Sequence, residues 1–328
     1  MISTFWQNRN VLVTGATGLL GSWMVEDLLD RQANVVAIVR DGVPRSKLAL
    51  SGVQQRINVV NGDIEDFRLI ERTLAEYEVT SVFHLAAQTQ VLVANRSPLS
   101  TFESNVRGTY LLMEACRVNP AVKSIVVASS DKAYGSAEHL PYDETTPLRG
   151  VHPYDVSKSC ADLITNSYAH SFGLPVCITR CGNLYGGGDL NWARIIPGTI
   201  RSIWQNQAPI IRSDGTLIRD YFYVRDAVDA YLMLAEQMET KGIRGEAYNF
   251  SNEIQLSVLA LTQKLLILMG REDLQPIVQG NNRGEIKDQW LSAAKARDQL
   301  SWHPRFELDS ALAETIEWYK HHLQGPVK

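Results

Sequence analysis

Short apolar runs alternate with amphipathic segments through the first half of this chain, and that alternation restricts the fold more than any other feature. "NVLVT", "NVVAIVR", "INVVN", "SVFHL", "SIVVA" and "LPVCITR" each read as a buried strand. Helical periodicity follows "NVLVTGATGLLGS" into "MVEDLLDRQ" and recurs at about 67–77, 100–118 and 154–172. Near-continuous apolar strands alternating with helices predict a parallel sheet covered on both faces. "GDIED" reads as a turn with an acidic, cap-like segment at the end of the third strand, and "AYNFS" (247–251) as one more strand of the same sheet. Proline, glycine and charged residues dominate 182–220 and 271–290. The expected division is a unit over 1–181 and a smaller one over 182–328, with a segment near 221–252 returning to the sheet.

Composition excludes several classes. A chain of 328 residues can bury a substantial core. Hydrophobic residues at 45% and charged residues at 21% are ordinary for a globular protein. A net charge of -4 gives no electrostatic case for nucleic acid or an anionic membrane. Cys116, Cys160, Cys177 and Cys181 are too few for a disulfide framework, and Cys177-x3-Cys181 has no second pair at zinc-site spacing. Reduced, mostly buried thiols are expected, and no metal. His84, inside a strand, reads as a core residue. The first ten residues carry no long apolar run, so no signal peptide and no membrane span is expected, and the cytoplasm is the expected location.

Three motifs carry chemistry. Gly15, Gly18 and Gly21 form G-x-x-G-x-x-G between the first strand and its helix. Such a turn lets backbone approach a pyrophosphate at a helix N-terminus, which predicts dinucleotide binding. The second strand ends at Val39-Arg40-Asp41. Arg40 can pair with a 2′-phosphate and Asp41 can serve a ribose diol; NADP is expected over NAD. Tyr154-x3-Lys158 begins a helix after Pro153, so the phenol and the ammonium share one face. A free tyrosine has a pKa of ~10, and nearby positive charge has the right sign to lower it. Finally, "SSDKAYG" (129–135) places a hydroxyl, an acid and a base where the "SIVVA" strand runs out.

With "VTGATGLLGS", "GDIED", "FHLAAQ", "SSDKAYG", "YDVSK", "RCGNLYGGG" and "RDYFYVRDAV" in this order, the chain resembles the extended short-chain dehydrogenases/reductases, in particular the NAD(P)-dependent nucleotide-sugar epimerases and dehydratases. The resemblance implies an α/β fold, a doubly wound parallel sheet of Rossmann type with a smaller C-terminal substrate domain. It implies cofactor contacts at Gly15, Thr17, Gly18, Leu19, Leu20 and Gly21, at Arg40, Asp63 and Ile64, at Leu85, Ala86 and Ala87, and at Tyr154 and Lys158. A nucleoside-diphosphate sugar would meet Asn183 and Arg219 at its phosphates, with Arg194, Gln88 and Glu285 as further pocket residues. By the same resemblance Tyr154 removes the sugar O4 proton, Ser130 shares its hydrogen bond, and Lys158 holds the nicotinamide ribose and lowers the tyrosine pKa. A homodimer through the Tyr154 helix and the segment around 100–118 is also implied.

Asp131-Lys132 is similar to the pair in CDP-glucose 4,6-dehydratases. After oxidation at C4, loss of water needs a base at C5 and an acid at O6, and Lys132 and Asp131 would fill those roles. The expected activity is an NDP-sugar 4,6-dehydratase. A 4-epimerase with the same Ser130/Tyr154/Lys158 set stays open, with Asp131-Lys132 only shaping the pocket. A dinucleotide sensor without turnover has no need of a tyrosinate. Base and sugar stay unassigned, because their contacts fall in irregular segments.

Overall fold

The computed structural model describes residues 4–281 and 286–324. Twelve strands occur among them. The first six are β1 (Asn10–Thr14), β2 (Asn34–Val39), β3 (Asn58–Asn61), β4 (Ser81–His84), β5 (Ser124–Ala128) and β6 (Val176–Cys181). The later ones are β7 (Asn183–Tyr185), β8 (Ile210–Ile211), β9 (Ile218–Tyr223), β10 (Ala247–Phe250), β11 (Gln255–Ser257) and β12 (Ile277–Val278).

Seven strands form one parallel sheet in the order β10-β6-β5-β4-β1-β2-β3. Alternate residues of β1 point to opposite faces. Val11 and Val13 join a core that includes Met24, Val25 and Phe222, whereas Leu12 joins Ile38, Ile70, Leu112 and Ile125. Both faces are therefore dry, which explains the near-continuous apolar strands. β10 pairs with β6, and the helix Val224–Lys241 before it packs on β5 and β6, so the chain returns to the sheet after β9. A three-stranded sheet, β11-β9-β7, begins directly after the end of β6, and β12 and β8 form a separate two-stranded sheet.

Local signals set the helix limits. The Asp66 carboxylate in "GDIED" caps the helix Phe67–Glu76, accepting from the N–H groups of Arg68 (3.0 Å) and Leu69 (3.1 Å). Pro153 opens the helix Pro153–Phe172, and Gly173, left-handed at φ 66°, ends it. The segment expected as one helix over 100–118 is instead Pro98–Phe102 and Gly108–Val118, joined by a π-helical turn at Glu103–Arg107. That turn aims Asn105 inward: its Oδ1 accepts from Gln88 N (2.7 Å) and its Nδ2 donates to Ser157 Oγ (2.9 Å).

Strand order reverses between β1 and β4, the topological switch point of a doubly wound sheet. The glycine turn after β1, residues 85–88 after β4 and Ser129-Ser130 after β5 all leave the sheet at this edge. No helix among the described residues is long and apolar enough to cross a membrane.

Candidate active site

The glycine turn is shaped by close approach. Gly15 has φ 72°, and a Cβ there would lie 2.8 Å from Ala86 N; a Cβ on Gly21 would lie 2.2 Å from Gly15 O. Gly18 differs, since its Cβ would meet only Gly15 O at 3.3 Å, leaving its outer side open. Gly18 is also the N-cap of the helix Leu19–Asp30 and offers no side-chain cap, so the first N–H groups face outward at the positive end of the helix dipole. This cradle fits a pyrophosphate. Behind it, Thr14 Oγ1 accepts from Leu85 N and Ala86 N (both 3.1 Å) and lies 2.9 Å from His84 Nδ1, while His84 Nε2 lies 3.0 Å from Thr109 Oγ1. Burial, then the charge of Lys158, pushes His84 down to about 3, so it is a neutral brace.

At the end of β2, Arg40 Nε donates to Asp41 Oδ2 (2.7 Å) and Nη1 to Ser104 Oγ (3.3 Å). The bond to Asp41, together with the charges of Asp41, Asp63 and Glu65, raises the guanidinium pKa against a partial burial cost. Asp63 also accepts from Glu65 N (3.1 Å), and Ile64 is buried against Gly108.

Ser130 sits at the centre of the second cluster. It caps the tight turn Asp131–Tyr134, accepting from Lys132 N (3.2 Å) and donating to Asp131 Oδ1 (2.9 Å), and its hydroxyl favours ionisation of Tyr154. Tyr154 and Lys158 are both buried. Lys158 Nζ donates to the carbonyl of Ala128 at the end of β5 (2.8 Å). Burial pushes Tyr154 up to about 12, and the groups that pull it back are Ser130 and then Arg194. Burial pushes Lys158 down to about 8, partly offset by Asp162. In the protein alone, Ser130 and then Arg194 favour the tyrosinate.

Asp131 is 3% exposed, and its Oδ2 has no hydrogen-bond partner among the described residues. Burial raises its pKa, while Lys132, Ser130 and Arg219 oppose the rise. Lys132 Nζ donates to Gln289 Oε1, and its charge is felt by Asp131 and by buried Asp155. Behind this cluster, Arg180 and Asp162 make a buried bidentate pair (2.8 and 2.9 Å), and Arg180 also donates to the Tyr134 hydroxyl (2.9 Å).

A cavity of about 480 Å³ opens beside it, lined among others by Asn183, Trp192, Arg194, Arg201, Arg212 and Arg219. Its volume is in the usual range for small-molecule sites. Arg219 Nη1 donates to the carbonyls of Ile218 (2.8 Å) and Lys287 (3.0 Å), and Arg194 Nη1 lies 3.2 Å from Asp189 Oδ2. Asn183 Nδ2 has no partner among the described residues. The charge of Arg219 reaches Asp131 and that of Arg194 reaches Tyr154, so arginines of the cavity act electrostatically on the acid-base cluster. Gln88 stands apart from the cavity lining, on the β4 loop, and Glu285 lies outside the described residues. Trp192, Arg201, Arg212 and Gln289 were missed by sequence reasoning: Trp192, Arg212 and Gln289 lie in irregular segments, and Arg201, on the helix Ile195–Trp204, belongs to no motif.

A model of the family described as GDP-mannose 4,6 dehydratase matches residues 12–315. The chain is 33% identical to the CDP-glucose 4,6-dehydratase of Salmonella typhimurium, over 98% of this chain and 93% of that one. The crystal structure of a dTDP-glucose 4,6-dehydratase from Streptomyces venezuelae, solved with NAD bound, aligns with a TM-score of 0.84 at 27% identity, covering 95% of this chain and 97% of that one. The UDP-glucose 4-epimerase of Thermotoga maritima aligns with a TM-score of 0.88 at 26% identity, covering 96% of this chain and 100% of that one. Family match, fold and the order of motifs around one crevice agree: the chain belongs to the GDP-mannose 4,6 dehydratase family, within the extended short-chain dehydrogenases/reductases.

Proposed function

We propose that this protein is a lyase, an NAD(P)-dependent nucleotide-sugar 4,6-dehydratase that forms an NDP-4-keto-6-deoxyhexose. The observation that carries the reading is the adjacency of two proton-transfer sets: Tyr154, whose ionisation Ser130 favours, and Asp131, bonded to Ser130, with Lys132 on the next residue. When bound, the nicotinamide supplies an acceptor for the C4 hydride and returns that hydride to C6. Tyr154 takes the O4 proton as C4 becomes a ketone. Lys132, as the free amine, takes the C5 proton; the C5–C6 double bond forms as the C6–O bond breaks, and Asp131 gives its proton to the departing hydroxide, releasing water. A proton then returns to C5. The Ser130 hydroxyl links the two sets. With Asp131 protonated, the serine proton is free to turn toward Tyr154, so the acid form of Asp131 and the anion of Tyr154 support each other.

The division of the chain follows the chemistry. Residues 1–181 hold the dinucleotide and 182–328 the nucleotide sugar, with 221–252 returning to the sheet. Asn183, Arg219 and Arg194 are assigned to the diphosphate, where a guanidinium can bind in bidentate fashion. For the cofactor, the acidic surroundings of Arg40 support NAD, against the NADP expected from sequence. A 2′-phosphate would add negative charge beside Asp41, Asp63 and Glu65. Exposed Leu99, Tyr110, Leu163 and Phe172, on the helices around 98–118 and 153–172, support a two-fold dimer, which light scattering tests. Four free cysteines, three of them buried, support a reducing compartment such as the cytoplasm; tracking the tagged protein in fractionated cells tests that.

The deciding experiment is incubation with a panel of NDP-hexoses, watching for a product lighter by one water. A 4-epimerase reading draws on the fold likeness to the Thermotoga maritima enzyme. It gives Asp131 and Lys132 no proton-transfer task, and it predicts sugar inversion without loss of mass.

A further inference from the structure

We propose that Gln289 is the positioning residue of Lys132. Its amide oxygen holds the lysine nitrogen toward C5 of the sugar, with a neutral acceptor that leaves the lysine able to give up its own proton. The assignment rests on the dehydratase reading above.

Gln289 is fully buried and lies 157 residues from Lys132, yet its Oε1 accepts from Lys132 Nζ. The backbone around it is held independently of that bond. Gln289 N donates to Ile218 O on β9 (3.2 Å), Leu291 N donates to Asp220 Oδ2 (3.2 Å), and Tyr142 N donates to Trp290 O (3.0 Å). Tyr142 in turn stacks on Tyr134, the last residue of the turn that carries Lys132, with ring centroids 5.0 Å apart. The backbone that carries the amide is thus fixed from β9 and from the 142 loop, and the lysine comes to its buried oxygen.

The charges around Lys132 explain why an amide suits this position. Asp131 is on its own turn, and Asp155, on the Tyr154 helix, also feels its charge. Asp220 on β9 interacts in turn with Asp131, and burial pushes it up to about 7. His152 acts on Asp155 and Arg219 on Asp131 with the opposite sign. A further carboxylate at position 289 would favour the ammonium form, which cannot accept a proton. An amide oxygen accepts an N–H from ammonium and amine alike, so the nitrogen keeps its place when its proton leaves.

Two substitutions test this. Gln289→Glu puts a carboxylate at the same reach. The acidic limb of the kcat profile set by C5 deprotonation should move up by about 1–3 pH units. Below the limb, solvent deuterium should enter C5 about tenfold more slowly per unit of that shift. Gln289→Met keeps length without an acceptor, and C5 exchange should fall at least tenfold. In both, single-turnover oxidation at C4, read as nicotinamide absorbance, should keep its amplitude, because Ser130, Tyr154 and Lys158 are untouched. A Gln289→Glu limb coinciding with wild type, or wild-type C5 exchange in Gln289→Met, overturns the assignment; if Gln289→Glu does not fold, the methionine variant decides alone. Wild-type dehydration with unchanged variants overturns this assignment and leaves the dehydratase reading intact. Absence of any 4-keto-6-deoxy product from wild type overturns both.

Discussion

Replacing Lys158 by methionine should stabilise the protein at neutral pH while abolishing turnover. Lys158 is buried, and burial pushes its pKa from 10.5 to about 8. At about 1.4 kcal/mol per unit, the protonated lysine costs the folded state about 3 kcal/mol at pH 7. Methionine removes that cost and most of the shape change, but it also removes the bond to Ala128 O, which contributes about 1 kcal/mol. The expected net gain is about 2 kcal/mol. The sign of the pH dependence follows from the proton count. Below pH 8 both folded and unfolded lysine are protonated and the cost is fully present. Between pH 8 and 10.5 the unfolded state binds more protons, so wild-type stability rises with pH relative to the variant. Urea unfolding of the two proteins side by side, at pH 7 and in steps to pH 10, measures this. The variant should lead at pH 7, and its lead should shrink and reverse as pH rises. A variant less stable at pH 7, or a difference that stays constant from pH 8 to 10, would refute the argument that Lys158 is held at the expense of stability.

Tyr154→Phe should abolish turnover and leave dinucleotide affinity within a few-fold of wild type, as read by titration, because only the proton acceptor is lost. Asp131→Asn and Lys132→Met should still reduce the bound nicotinamide on mixing with substrate and then stall before water is lost; full dehydration by either variant removes that residue from the elimination step. Arg40→Ala should change NAD affinity little, and wild-type protein should show no preference for NADP, since NAD is the proposed cofactor; wild-type protein binding NADP tenfold more tightly than NAD would reverse that choice. Asp162→Ala leaves Arg180 buried without its carboxylate and should cost about 3–5 kcal/mol in urea unfolding, against a near-neutral outcome if the pair adds nothing.

Much of this architecture is legible without coordinates because its causes are local. A buried parallel strand must be apolar on both faces, so β1, β5 and β6 show as runs; a turn with backbone 2.8 Å from a missing Cβ must be glycine, so Gly15 shows as a motif. Tyr154 and Lys158 share a face because four residues nearly complete a helical turn, and Ser130, Asp131 and Lys132 are neighbours in the chain itself. The π-helical turn at Glu103–Arg107 was not legible, since its inward Asn105 is selected by Gln88 and Ser157, 17 and 52 residues away. What only the tertiary structure decided is where distant segments meet. The segments after β6 bring Arg219 within electrostatic reach of Asp131, Arg194 within reach of Tyr154, and Gln289 into a hydrogen bond with Lys132. None of these pairs follows a helical or strand period. Their interactions exist only once the sheet has closed against the C-terminal segments and excluded water, and that exclusion also moves the protons of Lys158, Asp131 and Tyr154 away from their ordinary pKa values.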